Sequence, residues 1–82
     1  MFTHELKILP CYFRSVESGE KPFEIRYNDD RDFQKGDIVK LRCYDPERDE
    51  YTGREIKRTI TYVTTFKQRN GYVVLGFGST RA

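Results

Sequence analysis

The sequence predicts a mainly β fold of the α+β class: a small barrel of about five strands with one short helix after the first strand. Three observations predict it. The chain has 82 residues, enough for a single domain spanning 1–82 with a limited core. Short stretches of alternating apolar and polar residues recur between turn-forming clusters, which is the period of half-buried strands. Aromatic residues make up 15%, with six Tyr, six Phe and no Trp. Large rings suit a small core, because each removes roughly 150–250 Å² from water when buried.

The elements follow in order. Residues 2–8, FTHELKI, place Phe2, Leu6 and Ile8 on one parity and read as a strand. Pro10 suits the first turn of a helix, where its missing N–H has no partner to lose. Leu9, Phe13 and Val16 then recur at helical spacing, and Gly19 ends the run, so a helix is expected over 10–18. PFEIRY, 22–27, is a strand with Phe23, Ile25 and Tyr27 on the core face and Glu24 and Arg26 on the other. Residues 28–37 form a turn-rich connection, with Asn28 and Asp29 as initiators and Gly36 before Asp37 as a tight turn.

IVKLRCY, 38–44, alternates Val39, Leu41 and Cys43 with Lys40 and Arg42 and is the third strand; DPERDEYTG, 45–53, is a polar hairpin loop. REIKRTITYVTTF, 54–66, is rich in β-branched residues, with Ile56, Ile60 and Tyr62 on one parity. Asn70-Gly71 is a strong hairpin signal. YVVLGFG, 72–78, is apolar on both parities, as in a strand buried on both sides or closing a barrel. Closure would also remove the exposed edges of an open sheet.

Composition excludes several function classes. No apolar run approaches the roughly 20 residues that cross a bilayer, and no leader opens the sequence, which favours a cytoplasmic protein. The two cysteines, Cys11 and Cys43, lack CxxC spacing; both are expected to be reduced and packed as small apolar side chains, on the helix and in the third strand. With His4 the one histidine, neither a zinc finger nor a Ser-His-Asp triad can be assembled. Residues 28–32, NDDRD, lack the twelve-residue calcium-loop pattern. There is no phosphate-binding glycine loop. Neither a metal nor a cofactor is expected.

Charge is unevenly spread. Residues 1–53 hold nine Lys/Arg and twelve Asp/Glu, whereas residues 54–82 hold six Lys/Arg and Glu55 alone. The basic C-terminal third is a candidate surface for a polyanion, the ordinary alternative being solvated strand faces. The densest charge lies in SGEKPFEIRYNDDRDFQKGD, residues 18–37. Within it, Glu24 and Arg26 share a strand face, roughly 6.5–7 Å apart along the chain, and Lys21, extended before Pro22, leans over the strand's start. One carboxylate between two cations can accept from a base edge and bind a phosphate or carbonyl oxygen together. An exposed ion-pair cluster, worth about 0–1 kcal/mol per pair, is the plainer reading.

Gly19, Lys21, Glu24 and Arg26, followed by Gly36-Asp37 opening the next strand, resemble the signature of ASCH (activating signal cointegrator homology) domains, within the PUA-like fold. The resemblance is closer to a group of short bacterial and phage proteins of ASCH type. It rests on HELKI with Pro10, Tyr12 and Phe13, then Phe23 to Arg26, Asn28, Asp29, Arg31 to Phe33, YTGR at 51–54 and GYVVLG at 71–76. It covers nearly the whole chain. It implies a PUA-like β-barrel with one packed helix and a cleft at the helix–strand junction lined by Lys21, Glu24 and Arg26. It also implies RNA binding.

Two functions follow. In the first, the domain binds RNA or a nucleotide-like ligand: Lys21 and Arg26 meet phosphate or carbonyl oxygens, Glu24 accepts from amino or hydroxyl donors, Arg54, Lys57, Arg58, Lys67 and Arg69 track the backbone, and Tyr12, Tyr27 or Tyr51 supply a stacking face. The alternative is a small amidohydrolase on an acylated cytidine, as in a bacterial ASCH branch, with Lys21 as base or nucleophile and Glu24 carrying the proton. Lys21 matches that branch's Lys. However, Glu24 stands where it has a Thr, and the chain has no room for the helical segment bearing its distant Glu, so binding is expected ahead of catalysis. A protein partner engaging Tyr44 and Tyr51 is a third option.

Overall fold

The computed structural model describes residues 2–27 and 31–78; the expected turn at Asn28 and Asp29, and Arg81 of the basic third, lie outside them. Five strands and one helix run in the order β1 (Thr3–Ile8), α1 (Pro10–Ser18), β2 (Phe23–Tyr27), β3 (Ile38–Asp45), β4 (Glu50–Thr64) and β5 (Tyr72–Gly78). They form one curled half-barrel sheet of order β1-β3-β4-β5-β2. The β1–β3 pair is parallel, with Leu6 opposite Leu41 and Ile8 opposite Cys43; the other ladders are antiparallel.

The core lines the concave side. Leu6 and Ile8 of β1, Val39, Leu41 and Cys43 of β3, Ile60 of β4, and Val73 and Leu75 of β5 are buried together. Helix α1 fills the hollow with Phe13 and Val16. Pro10 occupies its first turn, and Gly19 closes it at φ +90°, donating its N–H to the Val16 carbonyl at 3.1 Å. That backbone angle is cheap for glycine and strained for other residues.

Four expectations are corrected. The strand β2 is turned over: Glu24 is buried and Arg26 half-buried, while Phe23, Ile25 and Tyr27 are exposed. The reason is the ladder to β5, in which Glu24 pairs with Leu75 and Arg26 with Val73, both on the concave side. Strand β4 begins at Glu50, leaving a loop shorter than 45–53, and it passes through Gly53 at φ +93°. Only glycine takes that angle without cost, so the residue that looked like a turn is a kink within a strand. Tyr62 leaves the parity of Ile60 because a bulge separates them in the β4–β5 ladder. Cys11 is exposed and does not pack; Cys43 is buried, and both are free thiols.

Two smaller differences follow from position. Phe2 precedes β1 and is exposed, its backbone being held by Asp37 and Ile38. Strand β5 buries only its Val73 and Leu75 side, with Tyr72 exposed on the other.

Candidate functional site

The two edges of the sheet, β1 and β2, are joined by no ladder among the described residues. A cleft of about 550 Å³ lies at this seam. Its walls include Lys7, Ile8 and Leu9 after β1, Tyr12 of α1, Lys21 at the junction, and Glu24 to Tyr27 of β2, with Tyr72 at the rim.

Each charged side chain is fixed by its element. The Lys21 N–H donates to the Ser15 carbonyl at 2.9 Å, and the Pro22 carbonyl accepts from Phe77 N–H at 2.9 Å, so the segment between helix and strand is pinned at both ends. Lys21 Nζ then reaches Glu24 Oε1 at 2.5 Å and sits 4.6 Å from the centre of the Tyr12 ring, a cation over an aromatic face. Arg26 Nε donates to Glu24 Oε2 at 2.9 Å, and its Nη2 donates across the seam to the Lys7 carbonyl at 2.7 Å. Arg31 does the same one alternate residue earlier, reaching the Glu5 carbonyl at 2.9 Å. Two guanidinium groups thereby satisfy carbonyls that an edge strand would leave open.

Glu24 is 4% exposed. A carboxylate buried that deeply needs compensating donors, and both of its oxygens have one. The three residues expected to converge do so. Lys7 lends the cleft its carbonyl, its ammonium lying over the Tyr44 ring at 4.1 Å; two cations against one carboxylate leave a surplus that attracts an anion. Lys21 has three N–H groups, and Glu24 is its one carboxylate partner among the described residues. Its ammonium lies on the cleft wall between that carboxylate and the Tyr12 ring.

The other predicted residues lie elsewhere. Arg54 forms a two-pronged pair with Glu17 of α1 at 2.7 and 2.8 Å and covers the Phe13 ring at 5.0 Å. Arg58 donates to the carbonyls of Lys57 and Val16. Both therefore hold the helix to the sheet. Lys57 pairs in the ladder with Lys40 and faces the opposite side. These three do not form one basic row, because successive strand residues alternate faces. Tyr27 stands at the cleft rim, whereas Tyr51 lies under the Arg42 guanidinium at 4.0 Å and edge-on to Tyr44. No three His, Cys, Asp or Glu side chains cluster as a metal site would among the described residues. No described helix is long and apolar enough to cross a membrane.

A second polar centre was not singled out from sequence. Asp37 is buried, and its Oδ1 accepts from the Phe2 N–H at 3.1 Å, while Oδ2 accepts from the Gln34 N–H at 3.1 Å. His4 Nε2 also donates to Oδ2 at 2.8 Å, since a carboxylate has no proton to give. The His4 bond foremost, then the Phe2 N–H, hold the Asp37 carboxyl below its ordinary range. The His4 ring packs on Phe33 at 4.7 Å. This cluster fastens the start of β1 to the entry of β3. The Gly36-Asp37 pair was its one visible signal.

Among curated proteins none matches this chain. The family model described as a domain of unknown function (DUF3850) matches residues 3–77, which run from the first strand into the last, and the chain belongs to that family.

Proposed function

We propose that the domain binds RNA, or a nucleotide-like ligand, in the cleft between β1 and β2. The observation that carries this is the wall on which Lys21 and Arg26 flank one buried carboxylate beside the half-exposed Tyr12 ring. A volume of about 550 Å³ falls within the range of small-ligand sites and holds about one nucleotide. Lys21 and Arg26 meet phosphate or carbonyl oxygens, and Tyr12 offers a face to a base. Glu24 is a positioning residue: both oxygens are engaged, so it aims the two cations instead of reading a base itself. The strand, helix, strand order with these charges at the junction supports an ASCH-type domain of PUA-like fold. The free cysteines fit the reducing cytoplasm.

The test is titration of single-stranded RNA and of nucleoside monophosphates at two ionic strengths, with wild type and Lys21→Ala. Binding at low salt that weakens as salt rises, and that falls at least tenfold in the variant, is expected. No binding at low salt, or equal binding by Lys21→Ala, overturns the proposal. Turnover of acylated cytidines that Lys21→Ala abolishes would replace it with the amidohydrolase reading. That reaction would require Glu24 to release a cation before taking a proton.

A further inference from the structure

The outer, convex face of the sheet has two unlike halves. Across β1, β3 and the first part of β4 it is a lattice of ion pairs, with Lys40 and Arg42 each placed between Glu5 and Glu55. Across β2, β5 and the end of β4 it is aromatic. Ladder partners share a face, so the register Phe23–Gly76–Tyr62 stands two rings on either side of a residue with no side chain. The row at the other end is Tyr27 and Tyr72, whose rings meet edge-on at 5.4 Å. Tyr62 is 64% exposed and Ile25, between the rows, is 51% exposed.

Charge says what this face fits. The sequence has no Asp or Glu from Ile56 onward, and Glu24 of β2 is turned inward. Among the described residues, these strands therefore present no carboxylate on the aromatic side. Cations bracket it instead. Lys21 Nζ is 5.7 Å from the Phe23 ring at one end. At the other, Lys67 Nζ is 5.7 Å from the Phe66 ring, and Arg69 shares the wall of a hollow of about 340 Å³ with Tyr72.

We propose that this convex face is a stacking platform for single-stranded RNA, continuous with the cleft through Lys21, Tyr27 and Tyr72, which border both. Exposed rings with flanking cations and no acid suit bases joined by phosphates. The five residues from Phe23 to Tyr27 span roughly 13 Å of strand, room for two or three bases. The inference rests on the nucleotide-binding reading of the cleft and extends it to the neighbouring nucleotides of the same strand.

The experiment compares uridine monophosphate with a short fluorescein-labelled oligouridylate, using wild type, Tyr62→Ala, Tyr62→Phe and Lys21→Ala. The oligonucleotide is expected to bind more tightly than the monophosphate. Tyr62→Ala should weaken the oligonucleotide about tenfold, the loss of one stacked base, and leave the monophosphate unchanged, while Tyr62→Phe keeps wild-type affinity. If the monophosphate binds but the oligonucleotide gains nothing, or ignores Tyr62→Ala, the platform fails and the cleft stands. If the oligonucleotide depends on Tyr62 while the monophosphate does not bind and Lys21→Ala has no effect, the cleft fails and the platform stands. No binding of either probe overturns both. A wild-type dimer by sedimentation that Tyr62→Ala converts to monomer shows the face covered by a second copy, which also overturns the platform.

Discussion

Arg26 and Lys7 are joined across the open seam of the sheet: the Arg26 guanidinium donates from Nη2 to the Lys7 carbonyl at 2.7 Å while its Nε holds Glu24. One side chain thus tethers the β1 edge, completes the compensation of a buried carboxylate and forms part of the cleft wall. Arg26→Ala is expected to cost about 1–3 kcal/mol, the range for losing a hydrogen bond and leaving a buried acceptor short of donors. Amides of β1 should exchange faster. Arg26→Lys should recover little, because a point charge cannot address two acceptors with a planar fork. Denaturant melts with hydrogen exchange check both.

The orientation of β2 makes a contrasting prediction. Ile25 projects from the convex face and is half-exposed, so Ile25→Ser should change stability by no more than about 0.5–1 kcal/mol. Leu41→Ala, at a fully buried position of β3, should cost about 2–5 kcal/mol. Were Ile25 a core residue, the two costs would be similar. Thermal or urea unfolding of the pair decides it.

Asp37 predicts an acid limb. Its carboxyl is held below the ordinary 3.8 by the His4 bond first and the Phe2 N–H next. A depressed folded-state pKa means that the stabilisation is complete above the unfolded value and is lost as pH falls through the lower, folded one. Wild type should therefore lose stability on acidification below about pH 4. Asp37→Asn should be less stable at neutral pH by about 1.5–3 kcal/mol and show a shallower acid limb. Urea midpoints across pH measure this.

The cysteines give a simple chemical check. Cys11 is exposed on α1 and Cys43 is buried in β3. A thiol reagent should label Cys11 quickly in the native state and Cys43 only on unfolding, as mass spectrometry of timed samples will show.

Much of the fold was legible because its signals are local. Pro10 and Gly19 punctuate the helix, and Val39, Leu41 and Cys43 alternate cleanly into the core. What alternation could not reveal was which side of β2 faces inward. Phe23, Ile25 and Tyr27 look like a core face by hydrophobicity alone. Their outward orientation follows from the pairing to β5 and from the charge compensation around Glu24, both settled by tertiary contacts. Bulges and kinks mislead for a related reason: one irregular residue shifts the parity of everything after it, as at Tyr62. Convergence of Lys21, Glu24 and Arg26 was readable from their spacing. The dispersal of Arg54, Lys57 and Arg58 was not, because counting charge along a strand ignores that Arg54 and Arg58 turn toward α1.

The central claim is that the seam between β1 and β2 binds a nucleotide. Amide chemical-shift mapping with a nucleoside monophosphate at low salt tests it most directly. The account predicts saturable shifts centred on Lys7, Tyr12 and the segment from Lys21 to Arg26, abolished by Lys21→Ala in a protein that remains folded. Absence of saturable shifts there, or shifts centred on the Lys40, Glu55 and Lys57 side of the sheet, would contradict it.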